Sequence, residues 1–255
     1  MTPEQFELFA RIEQEHWWFV ARRRIMRALL ARITPPGGER IVVDVGCGTG
    51  GNVASLAGEY RAIGLDQSEA AVEFARARFP DTEFHVIRDI ADAAPYVSRA
   101  SAALCMDVVE HVQDDAGFMA SLVNALSPGA QLILTVPIDM SLWTQHDETN
   151  HHFRRYEIPE LAALWRDLPV HQRLLSAFNT RLYPIVKGAR FVSRMRGRAR
   201  GDAGTDFHVP PRAVNATLER LFRGELGPLR DAIDTGRGPY TRGVSAIALL
   251  ERTAG

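Results

Sequence analysis

Between residues 40 and 136 the chain alternates five short apolar runs with amphipathic stretches, and that alternation leaves few folds open. The runs cover residues 41–45, 62–66, 83–87, 102–106 and 131–136. Most are apolar without interruption, as strands must be when helices cover both faces of a parallel sheet. The stretches between them carry helix punctuation. Ser68 before Glu69 reads as an N-cap followed by a first-turn acid, and Pro80 reads as the stop. Asp114 and Asp115 open the next helix, and Ser127-Pro128-Gly129 closes it. The pattern predicts an α/β fold with a doubly wound, mostly parallel sheet.

The flanks add to this frame. Residues 3–33 read as one or two helices, set off by Pro35-Pro36-Gly37-Gly38. Residues 170–178 and 244–250 read as sixth and seventh strands. Helices are expected over residues 182–195 and 213–222, with a mobile loop over residues 197–211. The expected organisation is an N-terminal helical cap (1–38), a core (39–180), a helical insertion or lid (181–243) and a last strand returning to the core (244–255). A net charge of −1 excludes a nucleic-acid binder that works through bulk charge. The two cysteines, Cys47 and Cys105, lack the spacing of a disulfide framework or a zinc site. The first residues lack the apolar core of a signal peptide, and no run is long enough to span a bilayer, so the chain reads as cytoplasmic.

The strongest local signal is the turn after the first run, Val43-Asp44-Val45-Gly46-Cys47-Gly48-Thr49-Gly50-Gly51. Glycines there allow a tight turn and close approach of a ligand, and the helix that follows offers free N–H groups. Gly46, Gly48 and Gly51 also spell the GxGxxG of a dinucleotide site, which alone is weak. Asp44, two residues before the first glycine, gains nothing from a pyrophosphate. It gains from a cationic amino-acid cofactor, whose ammonium it anchors directly or through water. Cys47, Gly48 and Gly50 complete the candidate turn.

Asp66 ends the second run sixteen residues past Gly50, which suits a contact to two ribose hydroxyls. Gln67 follows it. Asp89 and Ile90, after the third run, suit an adenine edge and face, and Met106 ends the fourth.

Together these residues resemble the class I S-adenosylmethionine (SAM)-dependent methyltransferases, including the ubiquinone O-methyltransferase branch. The resemblance rests on the glycine motif of residues 44–50, Asp66, Asp89, and Met106-Asp107-Val108-Val109-Glu110-His111-Val112. It implies a Rossmann-like seven-stranded sheet whose last strand runs antiparallel, SAM as cofactor and a small-molecule acceptor. His16-Trp17-Trp18-Phe19, and His146-Asp147-Glu148 followed by His151-His152-Phe153-Arg154-Arg155-Tyr156, resemble stretches of bacterial members.

Methyl transfer from a sulfonium is an in-line displacement, so the protein must align, exclude water and, for a hydroxyl, supply a base. Neutral imidazole suits that role. His111, at the C-terminal end of the fourth strand, is the first candidate, with His146 and His151 as further catalytic candidates. Trp17, Trp18, Asp147, His152, Arg154, Arg155 and Tyr156 are candidates for substrate contact, the arginines toward an anionic group. The cluster of His146, Asp147, His151 and His152 has ligand chemistry for a divalent metal, but its spacing is not diagnostic and no metal site is expected.

Residues 181–200 hold seven basic residues and no acidic one. Lys187, Arg190, Arg194 and Arg198 share one helical face, and Leu182, Ile185, Ala189 and Val192 form an apolar stripe. Such a segment lies on an anionic membrane surface, lids a site for an acidic acceptor, or packs on a core with a solvated face. The leading expectation is O-methylation with histidine-assisted deprotonation. N-methylation and a lipid or quinone-precursor acceptor are alternatives within the class. A nicotinamide-dependent oxidoreductase leaves Asp44 without a role, and a non-catalytic SAM-binding module leaves the histidines without one.

Overall fold

The computed structural model of the chain describes residues 3–196 and 208–254. In chain order the elements are α1 (Pro3–Glu15), α2 (Trp17–Ile33), β1 (Ile41–Val45), α3 (Gly51–Ala54), β2 (Arg61–Asp66), α4 (Glu69–Arg78), β3 (Glu83–Val86), α5 (Ile90–Val97), β4 (Ala102–Met106), α6 (Asp115–Ala125) and β5 (Gln131–Pro137). They continue with α7 (Gln145–Thr149), α8 (Ile158–Ala163), β6 (Val170–Phe178), α9 (Tyr183–Arg196), α10 (Arg212–Arg223), α11 (Leu226–Asp231) and β7 (Ser245–Arg252).

The strands form one seven-stranded sheet in the order β3-β2-β1-β4-β5-β7-β6. β1 to β5 run parallel, and β7 is antiparallel to both β5 and β6. The strand order reverses between β1 and β4, and ligands bind outside the strand ends at such a switch point.

Alternation along the strands splits the apolar side chains into two layers. Val43, Val45, Ala103 and Cys105 join one core, closed by Ala93 and Val97 of α5 and Met119, Leu122 and Val123 of α6. Val42 and Leu104 join the other, closed by Ile25, Met26, Leu29 and Leu30 of α2, Val72 and Ala75 of α4 and Phe222 of α10. Each fully buried Leu or Ile contributes roughly 1.5–3 kcal/mol relative to exposure.

Helix ends follow the sequence signals. Ser68 caps α4 by accepting from the Ala71 amide at 3.2 Å, and Asp114 caps α6 by accepting from the Gly117 amide at 3.0 Å. The cap and the insertion join across the molecule. Asn215 of α10 accepts from the Trp17 amide at 2.9 Å and donates to the Glu15 carbonyl at 2.7 Å.

The expected apolar stripe of the basic segment is covered in part: Leu182, just before α9, is enclosed, Ala189 and Val192 are half-buried, and Ile185 is 62% exposed. Phe191 and Met195, outside that stripe, are exposed as well. The helix packs through the edge carrying Val186, Ala189 and Arg190, so Arg190 turns inward while Lys187 stays exposed. Arg190 donates to the Leu142 carbonyl at 2.6 Å, and the Lys187 ammonium donates to the Tyr183 hydroxyl at 2.8 Å. The side chain of Arg194, all of Arg198 and most of the expected 197–211 loop lie outside the described residues. No helix among the described residues is long and apolar enough to cross a membrane.

Candidate active site

Two cavities meet at the C-terminal ends of β1 and β4. The first, of about 670 Å³, is bordered by Gly46, Asp66, Gln67, Asp89, Ile90, Asp107, Val108 and His111, among others. The turn that shapes it needs glycine for stated reasons. Gly46 sits at φ 80°, and a Cβ there would meet Val108 Cγ2 at 2.4 Å. Gly48 sits at φ 53° with open space where a Cβ would be, so only its backbone conformation calls for glycine. Asp66 braces the turn, accepting from the Gly48 amide at 2.8 Å and from the Ser68 amide at 2.9 Å. Asp66 also borders the cavity. Asp89 caps α5 by accepting from the Asp92 amide at 3.1 Å.

Five of the expected cofactor residues do not border this cavity. Gly50 closes the turn as the left-handed N-cap of α3, and a Cβ there would meet Phe84 at 2.8 Å. Cys47 and Met106 are buried in the α2-side core. Gly48 acts through its amide. Asp44 is buried beneath the turn with neither carboxylate oxygen hydrogen-bonded. Burial pushes its carboxyl up to about 7 against the pull of Arg22. Such an acceptor without a partner costs free energy unless a cationic or donating ligand part answers it. The donor set fits SAM on that ground: it offers acceptors for an ammonium and a ribose, and among the described residues no lysine or arginine borders the cavity.

The second cavity, of about 380 Å³, opens beside the first, and Asp107 and His111 border both. One wall is aromatic: Trp17, Trp18 and Phe19 of α2 with His16, whose ring nitrogen caps that helix by accepting from the Trp18 amide at 3.3 Å. The opposite wall brings Glu110, His111, His146, Asn150, His152 and Arg155. Helix α9 contributes Val186, Ala189 and Arg190, and the strand ends supply Asn179, Val244 and Ser245.

Asp147 organises the polar wall from behind. It is fully buried and accepts from His152 Nδ1 at 3.0 Å, Arg155 Nε at 2.8 Å, Arg190 Nη1 at 3.2 Å and the Thr144 amide at 2.9 Å. Burial opposes its ionisation, but the bond from His152 and the charges of Arg155 and Arg190 outweigh it and hold the carboxyl well below its usual range. Burial pushes the Glu110 carboxyl up to about 8, and both its oxygens lack a hydrogen bond. Burial, then His152, holds His111 down to about 4; burial, then His208, does the same to His16. Both rings are therefore neutral at physiological pH. Arg22 pairs with Asp107 and lies 4.4 Å from the Trp18 ring.

The expected substrate residues divide. Trp17, Trp18, His152 and Arg155 border the second cavity, as does the catalytic candidate His146. Arg154 and Tyr156 do not. Arg154 pairs with Asp115 and donates to the Gln113 carbonyl at 2.9 Å, and the Tyr156 hydroxyl donates to Asp115 at 2.8 Å. Both fasten the loop to the start of α6. His151 is exposed, at φ 57°, and borders neither cavity. The left-handed backbone turns it outward and its neighbour His152 inward. The four residues considered as metal ligands therefore do not converge. Among the described residues, the ligand atoms that lie within 4.8 Å of one another belong to Glu110, His111 and His152.

Sequence reasoning assigned no role to Asp107, Glu110, Asn179 or Arg190. Asp107 and Glu110 stand in the quoted D-x-x-E-H stretch and were legible there. Asn179 and Val244 carry no local signal, because the antiparallel return of β7 beside β6 brings them to the site.

Comparison with known proteins agrees with this architecture. Residues 18–179 match the methyltransferase domain family. The trans-aconitate 2-methyltransferase of Acidovorax sp. (strain JS42) is 36% identical over 171 residues, covering 64% of this chain and 58% of the relative, so the match spans under two thirds of that protein. The trans-aconitate 2-methyltransferase of Variovorax paradoxus (strain S110) is 29% identical over 235 residues, covering 89% of this chain and 81% of that one. Among solved structures, the complex of the Haloferax volcanii Trm112 methyltransferase activator with a methyltransferase aligns at a TM-score of 0.58 and 20% identity, over 100% of this chain and 99% of that chain. The likeness to that structure is one of fold. With the family match across most of the sheet, the chain belongs to the class I SAM-dependent methyltransferases.

Proposed function

We propose that this chain transfers the methyl group of SAM to an oxygen of a small-molecule acceptor held in the second cavity. The observation that carries this reading is the shared border: Asp107 and His111 line both cavities, so a donor in one meets an acceptor in the other beside His111. The relatives support oxygen as the accepting atom, since the heteroatoms of trans-aconitate, the acceptor in their name, are all oxygens.

In this reading Asp66 with Gln67 holds the ribose, Asp89 and Ile90 meet the adenine, and Asp44 answers the ammonium from beneath the Gly46 turn. SAM, when bound, supplies an electrophilic methyl carbon on sulfonium sulfur. The chain's own part is alignment and exclusion of water. Trp17, Trp18 and Phe19 of the cap, and α9 of the insertion, roof the acceptor. The four-part division into cap, core, insertion and returning strand follows from those roles.

The test is a methyl-transfer assay with labelled SAM and a panel of hydroxyl, carboxyl and amine acceptors. Label in an oxygen ester or ether is expected. Label confined to amines would overturn the oxygen assignment.

A further inference from the structure

We propose that the outer face of α9 docks on an anionic lipid bilayer, the helix lying on the membrane surface rather than crossing it. Helix α9 has two unlike sides. Val186, Ala189 and Arg190 turn inward and border the second cavity. Pro184, Gly188, Phe191 and Met195 recur at the spacing of one helical stripe, Ile185 stands beside it, and all five are exposed. Ile185, Phe191 and Met195, at 62%, 60% and 75%, are the three most exposed large apolar side chains among the described residues. A Cβ added at Gly188 would meet nothing within 4 Å, so among the described residues nothing covers the stripe at that point. Single apolar side chains scattered over a surface need no partner, but several gathered on one helix face mark a contact surface.

Charge selects the occupant. The whole chain has a net charge of −1, yet α9 carries Lys187, Arg190, Arg194 and Arg196 and no acidic residue. In sequence the basic run goes on through Arg198 and Arg200 before the first acid, Asp202. Arg190 is committed inside, 3.2 Å from Asp147. Lys187 stands one turn before Phe191, and its side chain is 48% exposed with Asp139 at 3.4 Å. Asp139 also accepts from the Tyr183 hydroxyl, and its neighbour Met140, 52% exposed, adds an apolar side chain at the same edge. An apolar face on a basic helix fits the boundary between acyl chains and anionic headgroups, where lysine and arginine stems lie along the apolar layer and their heads reach the phosphates. A protein partner would have to supply a groove both apolar and acidic; an anionic bilayer supplies that pairing everywhere on its surface.

The docked helix joins the membrane to the site. Its outer face meets the bilayer while its inner edge borders the second cavity. The cavity therefore sits about one helix diameter, roughly 10 Å, from the membrane surface. The docking stands on the surface of α9 alone and does not depend on which group the chain transfers.

The test is co-sedimentation of the full chain with vesicles of phosphatidylcholine alone or of equal parts phosphatidylcholine and phosphatidylglycerol. The wild type is expected to sediment with the mixed vesicles, less so as salt is raised, and not with phosphatidylcholine alone. Replacing Phe191 and Met195 together by serine is expected to weaken binding about 10-fold or more, because two apolar side chains no longer enter the bilayer. Neither borders a cavity, so an unchanged melting temperature is expected to show the variant folded. Phe191→Trp, which keeps the apolar face, is expected to retain binding and to add emission that shifts to the blue on mixed vesicles. No binding to the mixed vesicles, equal binding to both kinds, or equal binding by the serine variant overturns the proposal. So does a wild type that sediments in solution as a dimer which the serine variant abolishes, since a second copy would then cover the face.

Discussion

The amide of Gly48 donates to Asp66 Oδ2 at 2.8 Å, tying the turn after β1 to the end of β2. One carboxylate thus sets the loop and borders the donor cavity. Asp66→Ala is expected to weaken S-adenosylhomocysteine binding roughly 10²-fold, since hydrogen bonds to a charged group are each worth about 1.5–3 kcal/mol. Calorimetry checks this, and unchanged affinity removes Asp66 from the site.

Gly46→Ala is expected to lower both thermal stability and donor affinity. The position costs an L-residue about 1–2 kcal/mol in the left-handed region, and the new methyl group would meet Val108 Cγ2 at 2.4 Å. Gly48→Ala pays only the conformational part, because nothing lies within 4 Å of its added Cβ. Melting curves of the two variants should therefore separate, with Gly46→Ala the lower.

Asp147→Ala is expected to destabilise the protein by about 3–5 kcal/mol, the cost of leaving a buried charge without its partner. Arg155 supplies that charge: its side chain is 2% exposed, and its Nε bonds Asp147. The chemical-denaturation midpoint checks it. A fall no larger than that of a surface substitution would mean that Arg155 finds another acceptor.

Stability should fall as pH rises from about 6.5 to 8. Burial raises Glu110 to about 8 from an ordinary 4.5, so in this window the native state holds a proton that the unfolded chain has released. That stabilisation is complete below the unfolded value and is lost as pH passes the folded one. Asp44, raised to about 7 by burial, acts in the same direction over the lower part of the window. His16 and His111, lowered to about 4, act in the opposite direction, but only between about 4 and 6.5. Glu110→Gln is therefore expected to narrow the loss between the two pH values, read as the difference in melting temperature. An unchanged difference would mean that Glu110 does not hold the proton.

The core of this fold is written in local pattern. Residues 41–45, 102–106 and 170–178 read as strands from the sequence and are the strands observed. They are buried or half-buried in near-continuous runs, where apolar sequence and structure coincide. Helix α5 was not expected: it is eight residues long with Pro95 inside, and its cap, Asp89, had been assigned to the ligand alone. Helix α7 is five residues long, held by a capping box between Thr144 and Asp147 rather than by any periodicity. The placement of β7 between β5 and β6 is a long-range pairing with no local trace.

The donor cavity was more legible than the acceptor cavity for the same reason. Gly46, Asp66 and Asp89 sit at strand ends whose positions follow from the alternation. His151 and His152 lie in irregular backbone, where one left-handed residue decides which imidazole faces the cavity. The covering of α9 was not legible, because a stripe with helical spacing does not say whether anything covers it.

The central claim is that the glycine turn, Asp44 and Asp66 hold SAM rather than a nicotinamide dinucleotide. Isothermal titration of the chain with S-adenosylhomocysteine, with NADH as the control, tests it most directly. Binding of S-adenosylhomocysteine alone is the expected result. Binding of NADH alone would mean that Asp44 and the turn serve a dinucleotide, and would contradict the assignment.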